Sequence, residues 1–203
     1  GNENISLVGG FWDANNAGNP RGADYDPVAY TGVAVNFVNV RDLTVRDLTV
    51  HNPESFFIRV GEVTDFRIEN ITLSADRTHI NQDGVHVGGF SERGVIRGIR
   101  ATAPGVPGDD MVALNADDDV ERQLNLGMRR GPIRDILVED IEAADAGGIT
   151  GRIVSALAPH AGYVYSGAVA GHTFRAIRDT ARAGLAPDLV VVVWTTNDDW
   201  VSP

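Results

Sequence analysis

Apolar and polar positions alternate through the first two thirds of this chain in a pattern that returns at long intervals. Residues 43–50, 66–73, 94–101 and 136–143 all read apolar-x-apolar-x-x-apolar-x-apolar, with Gly94 fraying the third copy. Strict alternation puts one face of a strand inside. The two polar positions in the middle of each copy predict a bend joining two short strands. The anchors Val45, Ile68, Ile96 and Val138 stand 23, 28 and 42 residues apart. The first two gaps each suit one turn of a coil; the third suits one turn with an insert, or two turns.

A second apolar series is interleaved with the first. Its members are Phe57-Ile58-Arg59-Val60, Val85-His86-Val87 and Val112-Ala113-Leu114. The steps from Phe57 to Val85 and from Val85 to Val112 are nearly equal, and both match the step from Ile68 to Ile96. Two strand series in step at such a period mark a solenoid, and the Asn, Asp and Gly between them supply the turns. The expected fold class is therefore all-β: a right-handed parallel β-helix over residues 1–145, of about five coils. An ordinary β-sandwich is the competing reading of the same strands.

The pattern stops at Ala146-Gly147-Gly148. Residues 152–157 read as a strand, Ser166 can cap a helix that Gly184 ends, and Val169, Ala170, Phe174, Ile177 and Ala181 share one helical face. Residues 189–194 form an apolar, β-branched run typical of a buried parallel strand. Residues 146–203 are thus expected to form a small βαβ unit, too short to cover both faces of an α/β sheet alone. It could instead cap an open solenoid end.

Composition narrows the chemistry. The 203 residues suffice for a substantial core, as one large domain or two small ones. A net charge of −11 argues against general nucleic-acid and anionic-membrane partners, which call for a basic face. All 17 basic residues are Arg, which excludes lysine Schiff-base chemistry. No Cys means no disulfide, thiolate metal site or cysteine nucleophile. The start, Gly1-Asn2-Glu3-Asn4, is not a signal peptide and reads as mid-domain, and no apolar run is long enough to span a bilayer. The Arg-for-Lys usage with abundant Ala, Gly and Val fits a GC-rich bacterium. The expected location is secreted or periplasmic rather than cytoplasmic.

The candidate chemistry lies where the second strand series begins. Asn81-Gln82-Asp83-Gly84 precedes Val85, and Gly108-Asp109-Asp110 precedes Met111-Val112. Asp83 and Asp110 are 27 residues apart, one coil, so they should stack about 4.8 Å apart with Asp109 adjoining. Carboxylates this close cannot all ionise cheaply, so at least one pKa should rise. A raised carboxyl can act as general acid while its neighbours activate water. An inverting glycosidase wants acid and base about 6.5–9.5 Å apart, a separation open to residues offset by one coil and one position. Asn81, His86 and Asn115 are candidate substrate-binding residues beside the trio. The same residues could equally be polar turns on a solvated rim. Asp117-Asp118-Asp119 reads as a solvated loop, with calcium as the alternative. No cofactor and no metal are expected.

Residues 1–145 resemble the family 28 glycoside hydrolases, the polygalacturonase-like branch of the pectin-lyase-like β-helices. Asn81-Gln82-Asp83-Gly84 resembles that family's N-T-D-G motif with Gln82 in place of Thr, and Gly108-Asp109-Asp110 matches its G-D-D motif. Residues 1–7 are similar to its early coil, and residues 51–56 to an N-S-P-F/W stretch. The resemblance implies inverting hydrolysis of a polysaccharide or oligosaccharide, typically pectic. Asp109 would be the general acid, with Asp83 and Asp110 positioning and deprotonating the water. The family's later Gly-His-Gly, which supports the acid, and Arg-Ile-Lys, which binds substrate carboxylate, are absent. Met111 stands where the family often has Cys.

Residues 152–193, with Ala158-Pro159-His160-Ala161-Gly162-Tyr163 at their centre, resemble an N-terminal fragment of the Memo family. That resemblance makes His160 a metal-type histidine, but a metal site needs about three ligands and the family's next histidine is missing. Two partial folds in series point to a chimeric or fragmentary chain. The readings that stand side by side are a glycoside hydrolase, a glycan-binding or structural β-helix without catalysis, a chimera without selected activity, and a Memo-like metalloenzyme.

Overall fold

The computed structural model describes residues 1–23, 28–116 and 129–144. The 152–193 stretch with His160, the βαβ reading, the boundary near residue 146 and the 117–119 acid run lie outside the described residues. Among those described, the structure is all-β and contains no helix.

Eight strands follow in chain order: β1 (Asn2–Val8), β2 (Phe11–Asp13), β3 (Val35–His51), β4 (Ile58–Ser74), β5 (Val85–Val87), β6 (Glu92–Ala101), β7 (Val112–Leu114) and β8 (Arg134–Glu142). Every pairing between them is parallel. That removes the antiparallel sandwich for this part of the chain and is consistent with a β-helix. β3 pairs with β4 along its length; β4 then pairs with β5 through its first residues and with β6 through its later ones. β5 pairs with β7, and β6 with β8.

The register follows the sequence intervals. Val45, Ile68, Ile96 and Val138 are successive partners across β3, β4, β6 and β8. The longest gap, from Ile96 to Val138, is therefore one turn with an insert, since β6 pairs directly with β8. In the second series Val85 pairs with Val112 as expected, but its partner on β4 is Ile58 rather than Phe57. The chain is turning into β4 there, and both Phe57 and Ile58 are fully buried, so alternation carries no signal at that point.

The polar bends are columns of left-handed residues. Asp42, Asp65, Arg93 and Asp135 occupy one column and Asp47, Asn70, Gly98 and Asp140 another, all at positive φ and one above the next in the register. Asn and Asp tolerate this conformation better than other side chains. They also bond along the column: Asn70 Nδ2 donates to Asp47 Oδ1 at 2.9 Å, and Arg93 Nε to Asp65 Oδ1 at 2.8 Å.

Between the columns the inward positions stack as layers. Val45, Ile68 and Ile96 form one fully buried layer, and Val50 and Leu73 belong to another. Each such side chain contributes about 1.5–3 kcal/mol on burial. The frayed position also finds its reason. Gly94 pairs with Phe66, whose ring fills the space a side chain would need: a Cβ on Gly94 would lie 2.1 Å from Phe66 Cζ.

Candidate functional site

The acid trio is assembled by the register that builds the core. Phe57 N–H donates to the Asp83 carbonyl and Gly84 N–H to the Asp110 carbonyl, each at 2.8 Å, so residues 56, 83 and 110 occupy one rung position on three successive turns. Asp83 therefore stacks on Asp110, as their one-coil interval predicts. Asp109 adjoins them, and one carboxylate oxygen from each residue lies within 4.8 Å of the others. The spacing agrees with that of stacked rungs, about 4.8 Å.

Both motif glycines are required by close packing. A Cβ on Gly84 would lie 2.6 Å from the Met111 carbonyl oxygen and 2.5 Å from Leu73 Cδ1. One on Gly108 would lie 2.2 Å from the His79 carbonyl oxygen. Gln82, the departure at the Thr position, is fully buried and its Nε2 donates to the Pro53 carbonyl at 2.6 Å. It braces the preceding turn.

The three acids differ in surroundings. Asp83 is 6% exposed, whereas Asp109 and Asp110 are exposed. His86, 2% exposed, lies with Nδ1 2.6 Å from Asp83 Oδ2. An ionised carboxylate only accepts, so the imidazole is the donor and Nδ1 carries the proton. Phe56 lies against the imidazole, centroids 4.1 Å apart and planes 14° from parallel. Its rung position, one turn before Asp83, puts it there. Partial burial holds the Asp110 carboxyl above its ordinary range, the charges of Asp83 and Asp109 add to this, and His86 opposes it. One pKa of the trio rises, as the crowding of carboxylates leads one to expect, and it is that of Asp110.

The family model of glycosyl hydrolases family 28 matches residues 1–126, more than half of the chain and both aspartate motifs. The chain belongs to glycosyl hydrolase family 28. No curated protein and no solved structure matches it. Membership of family 28 implies a polysaccharide substrate.

Of the candidate substrate-binding residues, His86 lies at the acids but is buried and contacts Asp83. Asn81 is exposed at a left-handed corner two residues before Asp83. Asn115 is exposed just past β7, its backbone N–H bonded to the Val87 carbonyl. Arg59, fully buried, was not among the expected site residues. It is the β4 partner of His86, follows Asn36 in the same row, and donates to Asn36 Oδ1 at 3.4 Å. A cation alternating with Ile58 and Val60 in an apolar strand was the signal for it. On the other flank, Glu54 pairs with Arg77 at 3.3 Å and His79 at 3.5 Å, next to the close approach of His79 to Gly108. Three carboxylate oxygens this close could also gather a hard divalent cation.

Proposed function

We propose that this protein hydrolyses glycosidic bonds in a pectic-type polysaccharide with inversion, on a right-handed parallel β-helix, using Asp83, Asp109 and Asp110. The observation that carries this reading is the stacking of Asp83 on Asp110 with Asp109 alongside. In this reading Asp109, the exposed acid at the edge, gives its proton to the glycosidic oxygen as the bond to the anomeric carbon breaks. A water held by Asp83 and Asp110 attacks that carbon and passes its proton to one of them. Asp110, its carboxyl held above the ordinary range, is suited to take that proton where it is ionised. His86 fixes Asp83 in place. In this reading Asn81 and Asn115, both exposed, meet substrate hydroxyls.

The short separation within the trio favours one rival, a retaining mechanism, whose carboxyls stand about 5–5.5 Å apart. We keep inversion because Asp109 is exposed and can rotate outward as a sugar enters, opening room for water. The anomeric configuration of the first-formed product decides between them. A glycan-binding protein without catalysis is the second reading, favoured by the missing Arg-Ile-Lys segment. Reducing-end release from a panel of pectic and other acidic polysaccharides, for the protein and its Asp109→Asn variant, separates the two. Hydrolysis lost in the variant with glycan binding retained supports the enzyme. Equal residual rates in both proteins would rule it out. The protein is expected outside the cytoplasm, where such polymers occur.

A further inference from the structure

Beyond the far end of β5 stands an aromatic in an unusual conformation. Phe90 has φ +60° and remains 41% exposed. A bulky residue in the left-handed region is an outlier, and such strain persists where the surrounding structure holds it. The same corner one and two turns earlier holds Glu62 and Asn39, also left-handed. Asn or Gly would adopt this corner freely. Phe90 instead presents an apolar ring to solvent.

The ring is held in place across three turns. Arg129 lies over it, its guanidinium carbon 4.8 Å from the ring centroid. Arg129 Nη1 in turn donates to Glu62 Oε2 at 2.9 Å. Gly131 packs against the ring edge, where a Cβ would lie 2.5 Å from Phe90 Cζ, and the Arg129 carbonyl lies over Gly89. Between His86 and Phe90 stand Val87, whose side chain is buried in the core, and two glycines, Gly88 and Gly89. The chain from Asp83 to Phe90 is short, spanning at most about 23 Å when extended.

We propose that Phe90 and Arg129 form a sugar-binding subsite remote from the bond that is cleaved, in which a pyranose ring of the polymer stacks on the exposed Phe90 ring and the guanidinium donates to its oxygens. The proposal rests on the hydrolase reading above. Stacking suits the apolar face of a pyranose. Arg129 keeps donors beyond the one used on Glu62, since a guanidinium carries five. A chain long enough to span from the trio to Phe90 would gain this contact, and a short oligomer would not.

The test compares polygalacturonate with its trimer, for the wild type, Phe90→Asn and Arg129→Ala. The ratio of kcat/KM on polymer to that on trimer should fall about tenfold in Phe90→Asn, the scale of one aromatic contact, and fall in Arg129→Ala as well. Phe90→Asn should at the same time melt higher, because Asn suits the left-handed corner. Lost polymer preference in a more stable protein cannot come from misfolding. An unchanged ratio would overturn the subsite while leaving the hydrolase reading intact. If the wild type cleaves neither substrate, retardation of each protein in a polygalacturonate gel decides instead. Retardation lost in Phe90→Asn supports the subsite, and equal retardation, or none in any protein, overturns it.

Discussion

The contact between His86 and Asp83 should govern both stability and turnover, and its size can be worked from the geometry. Asp83 is 6% and His86 2% exposed, their polar atoms 2.6 Å apart. A hydrogen bond to a charged group is worth about 1.5–3 kcal/mol, and removing one partner of a buried ionic pair costs about 3–5 kcal/mol because the other charge is left uncompensated. His86→Leu keeps most of the volume against Phe56 and removes the donor. It should lower the unfolding free energy at neutral pH by about 3 kcal/mol, which in a chain of this size is a Tm drop of roughly 6–12 °C. His86→Asn carries an N–H close to the position of Nδ1 and should recover about half of that loss. Adding Asp83→Asn to His86→Leu removes the stranded charge, so the double variant should be more stable than the sum of the singles. Urea unfolding of the four proteins gives the cycle, and reducing-end release gives kcat for those that fold. The contact would be shown not to hold Asp83 if His86→Leu lost less than about 0.5 kcal/mol, the scale of an ordinary surface substitution. Strict additivity in the cycle would show the same.

Two further outcomes follow from the same site. The raised pKa of Asp110 means the native state binds that proton more tightly than the unfolded chain, so this group lowers stability as pH rises from its ordinary value of 3.8 through the raised one. Asp110→Asn should therefore be more stable than the wild type at neutral pH and equal to it below that window; a difference independent of pH would refute the assignment. Gly108→Ala must move either its own backbone or that of His79, and should cost about 1–3 kcal/mol. Because it displaces Asp109 and Asp110 from Asp83, turnover should fall further than the unfolding free energy alone explains, and wild-type kcat in a destabilised variant would argue against the register as the source of the site.

Much of this is legible in the sequence, for a physical reason. A parallel stack repeats the same inside-outside choice at the same place in every turn, so Val45, Ile68, Ile96 and Val138 announce their layer by interval alone. The same interval announces Asp83 over Asp110. The signal fails where alternation fails. At the turn into β4 both Phe57 and Ile58 are buried, and counting from Phe57 misplaces the partner of Val85 by one position. Gly94 looks like a flaw in the sequence because the partner that fills its space, Phe66, lies a full turn earlier in the chain. His86 reads as a rim or substrate-facing residue because period two points it outward. What buries it is Phe56, from the turn before. Arg59 is the counterpart case: a charge in an apolar strand whose surroundings no local pattern could reveal.

The site and the core are not independent parts of this chain. The interval that places Val85 on Val112 also places Asp83 on Asp110, and the two glycines that let adjacent turns approach are the motif residues beside those acids. A slip of one residue between these turns would carry every following side chain to the other face. It would turn Val112 and Leu114 outward in the same step that parts the carboxylates. The apolar layers therefore enforce the register on which the acids depend. Length can change without that penalty only between strands, as in the insert that separates β7 from β8. The freedom to change length accordingly lies in the segments between the strands, and not in the rungs that carry the acids.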